Sequence, residues 1–156
     1  MNILLAPYAR PLRNGNVNAK NYPYAKELAD LLCGNGHVVI QIGVEGETQV
    51  VPVFRKNLPF EKVSAELKKH DTFVAVDSYL QHHAWLLGVR GVVLWGQSDP
   101  LIFGHTLHIN LLKDRKYLRP DQFNTYEGLA CVDEAFVLPS VVLETVETYA
   151  PKPEVS

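Results

Sequence analysis

The apolar positions of this chain fall into short unbroken runs separated by stretches of helical period. Asn2 to Ala6 is apolar almost from the first residue, which predicts a strand that Pro7 ends by withdrawing an N–H donor. Residues 8–19, YARPLRNGNVNA, show no period and read as a loop at that strand's carboxyl end. From Asn21, with Pro23 in its first turn, the spacing of Tyr24, Ala25, Leu28, Ala29, Leu31 and Leu32 predicts a helix, stopped by Gly34-Asn35-Gly36. His37 to Ile42 predicts a second buried strand, with Gly43 to Glu47 as its exit loop. Val50, Val51, Val53 and Phe54 fit either a short helix or a strand, and Pro52 disfavours both.

Phe60, Val63, Ser64 and Leu67 share one face of an amphipathic helix over Phe60–Lys69. Thr72–Val76 and Gly91–Trp95 are Val-rich runs without alternation, the pattern of strands covered on both faces. Between them come a turn at Asp77-Ser78, a helix over Tyr79–Leu87 and a stop at Gly88. Residues 101–128 mix loop with unassigned elements, and Leu129–Val132 reads as an edge strand. Pro139 and Ser140 open a last helix with Val141, Val142, Val146 and Tyr149 as its apolar positions. This alternation predicts one α/β, Rossmann-like domain over residues 1–150: a mostly parallel sheet of about five strands with helices on both faces, and a disordered tail at 151–156.

Composition narrows the partners. Seventeen acidic against fifteen basic residues, with no basic run, exclude bulk electrostatic binding to nucleic acid and favour a small ligand. The N-terminal apolar stretch is too short for a signal peptide or a membrane span, so a cytoplasmic protein is expected. Cys33 and Cys131 have no CxxC spacing and read as reduced, buried thiols. No cofactor is implied.

In open parallel sheets, ligands sit beyond the carboxyl ends of the strands, where the next helix presents free N–H groups. Asp77, Ser78 and His82 lie at one such end and Gly96, Gln97, Ser98 and Asp99 at another. Ser78 reads as a helix cap, alone or while also facing a phosphate. His82 either reaches the same ligand or packs as a satisfied histidine, and His83 points elsewhere as a structural residue. Gly96 to Pro100 is a turn by composition and a candidate ligand loop. Lys20 could neutralise a phosphate as a point charge, and Arg10 and Arg13 could clasp one with a fork of donors. Glu45 and Glu47 follow the second strand, where either carboxylate could accept from paired ribose hydroxyls. His105 and His108, with His82, His83 and Asp99 near in sequence, suggest a metal, but Ile102, Phe103 and Leu107 look like packing and no HExxH context surrounds them. No metal site is expected, and no GxSxG marks a nucleophile.

The run VAVDSYLQHHAWLLGVRGVVLWGQSDP resembles the signature of the glycosyltransferase family that includes the lipopolysaccharide heptosyltransferases, approximately V-D-T-G-x-x-H-L-A, then a strand and G-P-T-D-P. Asp77, Ser78, His82 and Ala84 match the first block, and Gly96, Ser98, Asp99 and Pro100 the second. Lys20-Asn21-Tyr22-Pro23 is similar to the family's K-x-W-P. The likeness spans the Asn2 strand to the Pro139 helix and corresponds to the carboxyl-terminal, sugar-nucleotide-binding half of these two-domain (GT-B) enzymes. Tyr79 and Gln81 stand where the family has or often has glycine, which predicts a narrowed or reshaped pocket.

The resemblance implies a glycosyltransferase-like protein that binds a nucleotide-sugar donor through Arg10, Lys20, Asp77, Ser78, His82, Gly96, Ser98 and Asp99. The family's amino-terminal half, with acceptor site and base, has no counterpart in these residues. A homodimer or a separate acceptor-binding chain is therefore expected. Two other classes fit the same residues: a non-catalytic binding or assembly module on the same half-fold, and a small phosphohydrolase or phosphotransfer enzyme using Asp77 and His82.

Overall fold

A computed structural model describes residues 1–149. Strands β1 (Asn2–Ala6), β2 (Val38–Gly43), β3 (Phe54–Lys56), β4 (Thr72–Val76), β5 (Val92–Trp95) and β6 (Ile109–Leu112) form one sheet in the order β3-β2-β1-β4-β5-β6, every neighbouring pair parallel. The helices are α1 (Ala25–Gly34), α2 (Phe60–Lys69), α3 (Tyr79–Leu86), α4 (Pro100–Phe103) and α5 (Pro139–Tyr149). This is the Rossmann-like α/β domain expected, with a sheet of six strands and no antiparallel member among the described residues.

Two apolar layers explain why the central strands lack alternation. Ile3, Leu5, Val39, Val74, Val76, Val92 and Leu94 point to a layer made by α1, α5 and the Val50-Val51 loop. Leu4, Ala6, Ile42, Phe73, Ala75 and Val93 point to the opposite layer, made by α2 and α3. β1 and β4 are buried on both faces at nearly every position, and each fully buried Leu or Val contributes about 1.5–3 kcal/mol.

Several expectations change. α1 begins at Ala25 rather than Asn21, because the Tyr22 N–H is bonded to the Pro7 carbonyl and the Tyr22 hydroxyl to Val137, holding residues 20–24 in a non-helical connection. Tyr24 and Leu31 are only half-buried. Residues 54–56 resolve the open choice as a short edge strand. The other edge is Ile109–Leu112, whereas Leu129–Val132 forms no strand and crosses the carboxyl end of the sheet as loop, its Ala130 carbonyl taken by the Gln97 side chain. Both cysteines are free and exposed, Cys33 on the outer side of α1 and Cys131 in that loop. In α5 the buried positions are Val142, Thr145 and Val146, while Val141 and Tyr149 face outward. The tail at 151–156 lies outside the described residues. Among those described, no helix is long and apolar enough to cross a membrane.

Candidate functional site

β1 and β4 are neighbours whose following helices cover opposite faces of the sheet, so the chain diverges between them and leaves a crevice at their carboxyl ends. Asp77, the first residue after β4, stands in it. Its Oδ2 meets Lys20 Nζ at 3.1 Å, and its Oδ1 accepts from Gln81 Nε2 at 2.8 Å. Gln81 is fully buried, and its main-chain carbonyl accepts from His108 Nε2 at 2.8 Å. His108 Nδ1 in turn accepts the Gly91 N–H, which fixes the tautomer, and burial holds this imidazole below its ordinary pKa. Gln81 therefore does not narrow a pocket: it faces inward and orients the Asp77 carboxylate. Tyr79 does line the crevice, with its hydroxyl on His83 Nδ1. His83 is buried, bonded to Ser64 and stacked on Phe60, a structural residue as expected.

On the β1–β2 side of the Lys20–Asp77 pair lies a cleft of about 410 Å³. Tyr8, Val44, Leu58 and Tyr79 give it apolar walls, and Arg10, Lys20, Glu47 and Ser78 reach it. Glu47 folds back over Gly43 and accepts the Val44 N–H at 2.6 Å, and burial raises its carboxyl pKa. Glu45 is instead exposed beside Lys56, so of these two glutamates Glu47 is the one that lines the cleft. Arg10 is exposed at the rim, and Arg13 is exposed and lines neither this cleft nor the cavity described next. Ser78 occupies the N-cap position of α3 without capping: its hydroxyl donates to the Val76 carbonyl at 3.2 Å. The first turn of α3 is thus left without a side-chain cap where it opens on the cleft.

Across the same ion pair is a second cavity of about 320 Å³, to which Lys20, Asp77, His82 and Ser98 contribute. Its other walls come from the segment after β6. Tyr126 lies with Lys20 Nζ 4.7 Å and Arg119 Cζ 3.9 Å from its ring centroid, and its hydroxyl, bonded to Ser98, is pushed up to about 12 by burial. Arg119 is itself buried, donating to the carbonyls of Gln122, Asn124 and Thr125. His82 is exposed and pairs with His105 across 2.7 Å, and His105 stacks on Trp85. Burial, and then the neighbouring His82, lower the pKa of His105.

Gly96 and Asp99 line neither space. A Cβ on Gly96 would meet the Phe136 ring at 2.6 Å, so close packing explains the glycine. Asp99 accepts the Leu101 N–H at 2.9 Å as the cap of α4 and is gripped by Arg115, whose guanidinium holds the carboxyl below the usual carboxylate range. Part of the loop acts as a brace: Asp99 with Arg115, and the Gln97 carbonyl with the Arg119 N–H, tie β5 to the segment after β6, while Ser98 borders the second cavity. Arg119, Gln122 and Tyr126 were not expected from the sequence. The signal available was the length of the stretch between β6 and α5, since so long a connection without strand or α-helix is usually functional.

Among the described residues, no group of three or more His, Cys, Asp or Glu is placed to hold a metal ion. Comparison with protein-family models, with curated proteins and with solved structures found no match to this chain.

Proposed function

We propose that the cleft binds the nucleoside diphosphate part of a nucleotide sugar, and that the protein serves glycosyl transfer. The observation that carries this reading is the placing of Glu47 and Lys20 in one cleft at the β1–β4 divergence, onto which the uncapped first turn of α3 opens. A carboxylate accepts from paired ribose hydroxyls. Helix N–H groups and a lysine suit a diphosphate, and Arg10 stands at the rim as a further donor. Tyr8 and Tyr79 offer ring surface to a base, and the volume suits a small ligand. In transfer the departing diphosphate gains negative charge, and the same groups would stabilise it. Its acceptor side would be closed by a second copy or a separate chain against the exposed Trp85 of α3. The phosphohydrolase reading has less support, because Asp77 is engaged by Lys20 and Gln81, and His82 by His105.

A thermal-shift panel of UDP-, GDP-, ADP- and CMP-sugars at millimolar concentration tests it. A bound nucleotide raises the melting temperature by mass action, with about 2.7 kcal/mol gained at a hundredfold excess over Kd. Lys20→Gln should abolish most of the shift. No shift from any nucleotide overturns the reading.

A further inference from the structure

The two edges of the sheet are not alike. β3 is three residues long and guarded by charge: Arg55 is paired with Glu66 at 2.5 Å and Lys56 with Glu45 at 3.4 Å. Charged side chains on an outer strand keep a further chain from adding to it. β6, at the other edge, is Ile109-Asn110-Leu111-Leu112, half-buried throughout and without a charge. Ile109 gives its N–H to the Gly91 carbonyl on the β5 side, so alternation turns the N–H and C=O groups of Asn110 and Leu112 outward. Among the described residues these outward groups have no partner. The strand is firmly placed all the same: the Asn110 side chain accepts from Trp95 Nε1 at 2.9 Å and donates to the His105 carbonyl at 3.0 Å. A pairing edge that is already ordered spares a partner the entropy of ordering it.

Apolar surface adjoins this edge. His105, tied to β6 through Asn110, stacks on Trp85, and α4 leads into it with Leu101 81% exposed and Ile102 and Trp85 open to solvent. Phe103 of α4 holds the exposed Phe123 ring edge-to-face at 5.8 Å. From Tyr79 to Leu112 the only Asp, Glu, Lys or Arg residues are Arg90 and Asp99, and Asp99 is buried against Arg115. Such depletion of charge marks the core of a protein interface. At roughly 100 Å² apiece for partly exposed large side chains, Trp85, Leu101, Ile102 and Phe123 offer about half of the ~800 Å² that each partner of a stable complex buries. The strand and its flanks offer the remainder.

We propose that β6 pairs antiparallel with β6 of a second copy across a two-fold axis, the apolar surfaces beside the two strands meeting around that axis. A second copy fits because a two-fold contact sets a surface against itself. Two identical strands run antiparallel match N–H to C=O in both directions, and a surface almost free of charge meets its own copy without like-charge repulsion. Of the two partners that could close the acceptor side, this selects the second copy, and it holds whether or not the cleft takes a nucleotide.

Sedimentation velocity of the full chain, without nucleotide and up to hundreds of micromolar, should show a monomer passing to a dimer. Hydrogen exchange locates the contact: the Asn110 and Leu112 amides should slow about tenfold or more from dilute to concentrated samples, while Ile109, bonded to Gly91, stays protected in both. Leu101→Glu should weaken the dimer about tenfold or more with an unchanged circular dichroism spectrum, since that side chain is exposed. A strict monomer at every concentration, a dimer whose Asn110 and Leu112 amides exchange at one rate throughout, or a dimer indifferent to Leu101→Glu would each overturn the proposal. So would a monomer that dimerises only when residues 150–156 are removed, because the chain's own tail would then be the occupant of the edge.

Discussion

One guanidinium holds both oxygens of Asp99: Arg115 Nη1 reaches Oδ1 at 3.1 Å and Nη2 reaches Oδ2 at 2.7 Å. This two-pronged geometry is the strongest form of an ion pair, and it joins the loop after β5 to the segment after β6. The folded carboxyl is held below its unfolded pKa, so its contribution is present above the usual carboxylate range and is lost as pH falls through it. Asp99→Asn keeps an oxygen for capping α4 but loses the charge. Its melting temperature should lie below that of the unsubstituted protein at neutral pH, and the gap should close on acidification below about pH 4. A gap independent of pH would show that the charge is immaterial.

Glu47 behaves oppositely. Burial raises its carboxyl, so the folded state favours the protonated form, and that preference is lost as pH rises through the folded pKa. Glu47→Gln should therefore gain thermal stability relative to the unsubstituted protein between about pH 4 and pH 7. It should also weaken nucleotide binding about tenfold, while Glu45→Gln leaves it unchanged. Calorimetric titration of both variants separates the two carboxylates.

Gln81→Leu should lower unfolding free energy by about 1–3 kcal/mol, the cost of leaving the buried Asp77 oxygen without its donor. Denaturant melts measure it. The variant should also bind nucleotide more weakly, because the carboxylate that positions Lys20 is no longer oriented.

Gly96→Ala should destabilise by about 1–3 kcal/mol through overpacking, since the new methyl meets the Phe136 ring. Gly96→Ala with Phe136→Leu should recover part of that loss. A neutral single variant would mean that the ring moves aside freely.

The elements legible from the sequence were those whose signal is local. β1, α2 and β4 have the predicted limits, because Leu4, Phe73 and Val74 belong to unbroken apolar runs and Val63 and Leu67 to a helical face. β6 escaped because all four of its residues are only half-buried, as an edge strand allows. Lys20, Asp77 and Ser78 were legible as residues at strand ends. The tie between Lys20 and Asp77 was not, nor the turning back of the Ser78 hydroxyl. Tyr126 and Arg119 take their roles from partners distant in sequence, such as Ser98, Lys20 and Gln97. No period or spacing carries such information.

The Lys20–Asp77 pair forms a party wall between two rooms, and a wall made of two opposite charges can yield. A ligand that drew the ammonium toward itself on one side would bare a carboxylate oxygen on the other. Occupancy of the two rooms would then be linked in free energy. By thermodynamic reciprocity, the factor by which the first guest changes the welcome of the second equals the factor by which the second changes that of the first.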